Sequence, residues 1–466
     1  MVSFALRAAL AFALLALLGL AGAGAAGAAE RALDRATLQN LGALAPAHKL
    51  TIDAFPVGPT KLLAMHMERV SVYARDAHLV VEAAAGPLEA ARSSQIFLRG
   101  YSDDGKTRVA LVLNPDLSVA HGNGSGPEGS FVLHATKKSG GASTLVASAL
   151  EADLPAGFNF EYRCGNENEN LDVTALNGIT SQLQSAITAQ ATTSSATLKE
   201  AVVAIDTDSL FMSRLFANNP ASATNWIAGM FNTMNVMYER DLNVRLLIGT
   251  TILRTSPAGD PYTSFTPNAT TAELNVFANF WKTNKSEVQR SFVILLSGAI
   301  ATTVNGCSAS GIAWINQYCQ GGFPNGNNTV GSYSLTQVCT SLAIDPNGAF
   351  DARIVGHEIG HNFGAYHTHC TNVSSGAAPT GTNTIDTCYN QETTNPACYS
   401  GTPSCPAGGS GTLMSYCNFT SVSGCAPNTQ NQLQFHPTHV SVIEAKPGYT
   451  GACLNSSDQI FASGFQ

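Results

Sequence analysis

One segment limits this chain more than any other: His357-Glu358-Ile359-Gly360-His361-Asn362-Phe363-Gly364-Ala365-Tyr366-His367. Residues four apart share one face of a helix, so His357 and His361 can present their imidazoles to a single ion about 2.0–2.1 Å from each nitrogen. Val355, Ile359 and Phe363 fall on the opposite face. The partition suits a half-buried helix, with an apolar side for a sheet and a polar side for a cleft. Gly364 stands where the helix must stop, because a left-handed residue there costs glycine little and other residues about 1–2 kcal/mol. The turn it permits brings His367 back toward the same point.

Three neutral imidazoles leave a tetrahedral zinc with one vertex for water, the arrangement of a catalytic site and not of a closed structural one. Glu358 would sit beside that water, where a carboxylate can take a proton during attack on a carbonyl and pass it to the leaving amine. Five fixed positions at about one in twenty each make a chance match in this chain an event on the order of one in ten thousand. His369, His436 and His439 fit no ligand spacing and are expected to be solvated loop histidines.

The remainder of the 466 residues gives the segment a setting. Lys and Arg number 24 against 32 Asp and Glu, and this acidic balance lacks the basic footprint of a nucleic-acid binder. One apolar run approaches the roughly 20 residues needed to span a membrane. It lies at the N-terminus, where Arg7 precedes Ala8–Leu20 and the small-residue stretch Ala21–Ala29. That order reads as a secretory signal, with an uncleaved anchor as the alternative; residues 1–29 are excluded from the fold and no stable membrane insertion is expected after their removal. Ten of the 11 cysteines lie beyond residue 300. They could form five bridges of undecidable connectivity, in keeping with an oxidising, extracellular destination.

Residues 30 to about 165 alternate β-type runs with turn signals, among them Arg69–Ala74, His78–Ala83, Ser94–Leu98, Arg108–Leu113 and Ser130–His134, and predict a mostly β domain. Residues 165–197 turn polar and lose periodicity, as an exposed connector would. From Leu198 strands alternate with helices. Ala201–Ile205, Val244–Leu253 and Phe292–Leu296 are separated by helical patterns containing Met230, Met234 and Met237, then Leu274, Phe277 and Trp281. This β-α-β-α-β succession predicts parallel strands with right-handed crossovers. The methionine stripe is core packing, and Gly311–Cys319 is expected to be an edge strand.

The segment 357–367 resembles the metzincin clan of zinc endopeptidases, whose H-E-x-x-H-x-x-G-x-x-H pattern it matches at every fixed position. Gly411-Thr412-Leu413-Met414-Ser415-Tyr416-Cys417 resembles the clan's methionine turn, with Met414 as an apolar floor beneath the metal. From about Leu198 to Asn455 the chain is most similar to the adamalysin (reprolysin) type. The resemblance implies an α/β (α+β) catalytic domain over 198–466, with a mixed, mainly parallel five-stranded sheet, an active-site helix and a smaller C-terminal subdomain. It also raises a calcium ion near Cys453-Leu454-Asn455, for which the residues themselves offer no support. Thr368 departs from the Asp that adamalysins usually carry after the third histidine. Tyr416 resembles a tyrosine of astacin and serralysin turns and either donates to the oxyanion or is a buried structural residue.

Cys164, in Tyr162-Arg163-Cys164-Gly165-Asn166, is the cysteine outside the C-terminal set. It resembles the cysteine switch of matrixin propeptides without their flanking prolines. A thiolate delivered to the open vertex would displace water and silence the site; a buried structural thiol is the alternative. These features predict a secreted zinc endopeptidase made as a latent proenzyme with propeptide 30–197, acting on proteins or peptides as a monomer. The competing reading is an extracellular binding or adhesion protein that uses the same fold as a scaffold, in which Glu358 would have no task.

Overall fold

The structure, a computed structural model, describes residues 29–149, 159–168, 198–303, 306–317, 319–339, 348–376, 383–392, 398–418, 422–425, 431–446 and 455–456. Residues 1–28 of the signal-type segment, 169–197 of the connector, and Cys453 and Leu454 lie outside them. Among the described residues no helix is long and apolar enough to cross a membrane.

The N-terminal runs form β1 (Glu30–Leu33), β2 (Lys49–Gly58), β3 (Lys61–Val70), β4 (Leu79–Ala83), β5 (Gly86–Glu89), β6 (Ile96–Tyr101), β7 (Arg108–Leu113), β8 (Val119–Gly126), β9 (Gly129–Lys137) and β10 (Ser143–Ala149). All but β4 and β5 pair antiparallel in the order β1-β10-β9-β8-β7-β6-β3-β2. β2 also packs against β1 and β10, so the sheet rolls into a nearly closed barrel around Phe55, Met65, Leu111, Leu133 and Leu145. Helix α1 (Arg35–Gly42) starts where the Asp34 carboxylate accepts from the Thr37 N–H at 2.7 Å and adds Leu38 and Leu41 to that core. The expected strand Arg69–Ala74 is split. Its pairing with β6 ends at Val70, and Tyr73 bridges instead to Ile248 in the other half of the chain.

The second sheet takes β11 (Asn159–Cys164), β12 (Lys199–Thr207), β13 (Val244–Arg254), β14 (Phe292–Ser297), β16 (Gly306–Ala313) and β19 (Tyr333–Gln337), with β15 (Ala301–Thr303) and β20 (Asn455–Ser456) attached. β17 (Phe323–Asn325) and β18 (Asn328–Val330) form a separate hairpin. The order β11-β16-β19-β14-β12-β13-β4-β5 differs from the expected five strands. The run β16-β19-β14-β12-β13 is parallel except for β16, and strands of the N-terminal half extend it at both ends. The edge strand expected at Gly311–Cys319 begins earlier and ends at Ala313, because Asn316 and Cys319 turn to positive φ. It is also not an edge here, since β11 covers it.

Side-chain alternation explains the layering. In β14, Phe292, Ile294 and Leu296 face one core, and Val293 and Leu295 face the other. The first core is closed by helices α2 (Ser209–Phe216), α3 (Pro220–Leu242) and α5 (Ala349–Phe363), the second by α4 (Thr271–Asn284). Caps set the helix limits: Asn219 with Pro220 opens α3, a Thr270–Glu273 capping box opens α4, and left-handed Gly348 and Gly364 bracket α5. Met230, Met234 and Met237 are fully buried in the first core, as their spacing predicts. A short helix, α6 (Pro437–Glu444), closes the C-terminal part.

α3 is buried on both sides, with the sheet beneath it and the barrel above. Asn123 of the barrel donates to Thr233 at 2.6 Å, and Arg99 pairs with Glu239 while donating to Asn232 at 3.0 Å. His121 packs against Gly229, where an added Cβ would lie 2.8 Å from its ring.

Candidate metal and active site

α5 carries the first two histidines. Val355, Ile359 and Phe363 hold it in the first core, and the Tyr238 hydroxyl donates to the Gly356 carbonyl at 2.7 Å. Gly364 ends the helix at φ 103°, with its N–H on the His361 carbonyl at 2.8 Å and the Ala365 N–H on the Gly360 carbonyl at 3.0 Å. The chain reverses there and returns His367 to the face that bears His357 and His361. One nitrogen from each of the three rings, together with Cys164 Sγ, lies within 4.8 Å of all the others.

Each ring is oriented through its other nitrogen. His357 Nδ1 is 2.9 Å from the Leu413 carbonyl, His361 Nδ1 is 2.7 Å from the Ala365 carbonyl, and His367 Nδ1 is 2.7 Å from Glu392 Oε2. Acceptors at all three Nδ1 positions leave the Nε2 lone pairs directed inward. His357 Nε2 is buried without a hydrogen-bond partner, and His361 and His367 Nε2 stand 3.2 Å apart. A buried, inward-facing set of imidazole lone pairs fits a zinc ion. Burial depresses His357 to about 3, with His367 adding to the effect, and it holds His361 well below the usual histidine range, so both rings are neutral as ligands must be.

Glu358 is buried next to this cluster. Its Oε1 accepts from the Tyr162 hydroxyl, and Cys164 Sγ is 3.8 Å from its Oε2. Burial pushes its carboxyl up to about 7, against the opposing effect of Tyr162, Cys164 and His367. Gly311 faces it across the cleft, where a Cβ would lie 2.4 Å from Oε1. Met414 lies under α5, its sulfur 2.8 Å from where a Cβ on Gly360 would be, and its carbonyl accepts from the Thr368 N–H at 3.1 Å. The Tyr416 hydroxyl is fully buried and accepts from the Cys164 N–H at 2.8 Å.

Cys164 is outside any disulfide and buried, with Sγ 3.4 Å from His361 Nε2. β11 delivers it by parallel pairing along β16, Cys164 opposite Gly311. A small cavity of about 30 Å³ beside His357 is lined by Tyr162, Arg353, Ile354, Leu413 and Asn431.

Two histidines expected in solvated loops are buried instead. His369 donates to Glu392 Oε2 at 2.8 Å, and His439 lies 3.2 Å from Thr371 Oγ1. His436 is half-buried and accepts from the Thr438 N–H as the cap of α6. His369 is fixed by a loop fold that no local periodicity announces, and His436 and His439 by the short helix α6. The bridges Cys370–Cys398, Cys388–Cys417 and Cys405–Cys425 hold that loop and pair all six cysteines of the insertion among themselves. Glu392 carries no local sequence signal, since it stands 25 residues beyond His367 in a segment without pattern. Tyr162 stands out in the sequence only as a neighbour of Cys164.

Residues 197–435 match the family model Reprolysin_5, Metallo-peptidase family M12. The chain belongs to this M12 metallopeptidase family. A curated relative, "Disintegrin and metalloproteinase domain-containing protein B" of Aspergillus fumigatus, is 26% identical over 181 residues, covering 37% of this chain and 21% of the relative. The chain thus matches about a fifth of that relative's length. The M12 match takes in α5, the turn at Met414 and every strand of the run β16-β19-β14-β12-β13.

Proposed function

We infer that this M12 chain is the latent precursor of a secreted zinc endopeptidase that hydrolyses peptide bonds in proteins. The observation that carries the reading is the convergence of His357, His361 and His367 with the Cys164 thiol at one buried point beside Glu358. His357, His361 and His367 would hold the zinc through Nε2. The chemistry available there, when zinc is bound, is Lewis acidity that polarises a carbonyl and brings the pKa of water to about 7.

The chain's own groups supply the rest. Glu358 takes the proton of the attacking water on its carboxylate and returns it to the leaving nitrogen. Tyr416, now engaged by the Cys164 backbone, would donate to the developing oxyanion once that segment leaves. Met414 forms the floor beneath the histidines. β16 offers an extended peptide the ladder positions that β11 takes in the precursor.

Latency follows from the same contacts. Cys164 aims its sulfur at the ligand nitrogens, where a thiolate outcompetes water as a zinc ligand, and Tyr162 occupies the Glu358 carboxylate. Cleavage within about 165–200 would separate the N-terminal half from the catalytic half, and the signal-type segment 1–29 directs export. The decisive experiment combines casein hydrolysis by the secreted protein, with and without a chelator, with metal analysis and N-terminal sequencing of the active form. Chelator-sensitive cleavage, one zinc per chain and a new N-terminus in 165–200 are expected. Folded protein without stoichiometric metal would overturn the reading.

A further inference from the structure

We propose that Glu392 is a positioning residue for the third ligand: clipped beside the site by the Cys370–Cys398 bridge, its carboxylate fixes the tautomer and direction of the His367 ring and sets how tightly the chain holds zinc. The inference rests on the reading of His357, His361 and His367 as the ligand set. It concerns a residue that no part of the histidine pattern contains.

The three rings are not oriented alike. His357 and His361 lean on the main-chain carbonyls of Leu413 and Ala365, which the methionine turn and the end of α5 hold in place. His367 lies beyond the helix, and its Nδ1 meets a carboxylate at 2.7 Å. An ionised acceptor makes the stronger hydrogen bond and raises the basicity of the opposite nitrogen, the one a metal uses.

A carboxylate on a loop can do this only if it is itself held. His369 Nε2 shares the same Oε2 at 2.8 Å, and its ring stacks on His367 with centroids 5.2 Å apart and planes 10° apart. His369 Nδ1 is buried and makes no hydrogen bond, so the ring is held through Nε2 alone. The Tyr399 N–H donates to the His369 carbonyl at 2.8 Å, next to Cys398. The Cys370–Cys398 bridge therefore closes a loop that contains Glu392 and begins at the residue after His369. Thr368, where adamalysins usually carry Asp, has no carboxylate; its hydroxyl and N–H both point to the Met414 carbonyl.

The test is zinc affinity of the full-length chain, measured by competition with a chromogenic chelator, for the unsubstituted protein and for Glu392→Gln, Glu392→Ala and Glu392→Asp. Loss of an outer carboxylate of this kind weakens metal binding about 10–100-fold. We expect Glu392→Gln to bind about ten-fold more weakly, Glu392→Ala more weakly still, and Glu392→Asp to recover part of the loss. The visible absorption of the cobalt-substituted protein should shift in Glu392→Gln. Thermal unfolding without metal checks the fold, and the isosteric Gln variant decides the matter should the Ala variant not fold. Zinc affinity in Glu392→Gln within two-fold of the unsubstituted chain would overturn this proposal alone. An unsubstituted, folded chain that takes up no zinc would overturn the ligand set and this proposal with it.

Discussion

The Tyr162 hydroxyl donates to the Glu358 carboxylate, so the short strand that brings Cys164 to the imidazoles also holds the carboxylate beside them. Under the proposed function these are two separate contacts that would block the site, one at the proposed ligand nitrogens and one at the proposed proton acceptor.

Removing them singly and together should separate their effects. Cys164→Ala in the uncut precursor is expected to raise peptide cleavage above background, and Cys164→Ala with Tyr162→Phe to raise it further, because Glu358 is then released from its hydroxyl partner. Initial rates on a fluorogenic peptide, with the precursor's integrity followed on gels, would measure both steps. A double variant as silent as the parent would assign latency to the β11–β16 pairing instead.

Glu358→Gln keeps the size of the side chain and removes its capacity to accept a proton. Catalysis by such a group contributes about 10²–10⁴-fold, so the processed variant should lose at least a hundred-fold in kcat/KM while retaining one zinc per chain. Metal analysis beside peptide kinetics distinguishes lost chemistry from a lost ion.

Gly311→Ala tests the packing opposite that carboxylate. The new Cβ would lie 2.4 Å from Glu358 Oε1, too close for the group to stay where it is. Because displacements of about 1 Å at reacting groups cost on the order of a hundred-fold, kcat should fall by ten-fold or more. Thermal stability should change by only about 1–2 kcal/mol, within the range of ordinary point substitutions.

His121 gives the contact between the halves a pH dependence. Burial alone lowers it to about 4 from its ordinary 6.5. The folded chain then binds fewer protons than the unfolded chain between those values, so the contribution is fully present above 6.5 and is lost as pH falls from 6.5 through 4. Its full size is on the order of 3 kcal/mol. Unfolding midpoints of the precursor between pH 7.5 and 4.5 should fall with acid, and His121→Gln should flatten that slope.

What was legible in the sequence was local. The four-residue spacing of His357 and His361, the stop at Gly364 and the apolar partners Val355, Ile359 and Phe363 all lie within about three turns of one helix, where periodicity carries the information. The parallel succession from Ala201 to Leu296 followed from the same kind of pattern. Glu392, the burial of His369 and His439, and the addition of β4 and β11 to the catalytic sheet depend on segments meeting across tens to hundreds of residues. The cysteines around the insertion signalled that the loop is tied down, but their spacing could not say which carboxylate the ties would present.

The N-terminal half grips the catalytic sheet at both margins, with β11 along β16 and β4 along β13. Its departure would strip two rows of main-chain donors and acceptors at once. Under the proposed function each arriving peptide would satisfy the row at β16. The row at Thr251–Arg254 has no such visitor and becomes a template on which a second molecule can lay a strand. Maturation would thus trade a silent protein for an active one with a colloidal weakness on its far side.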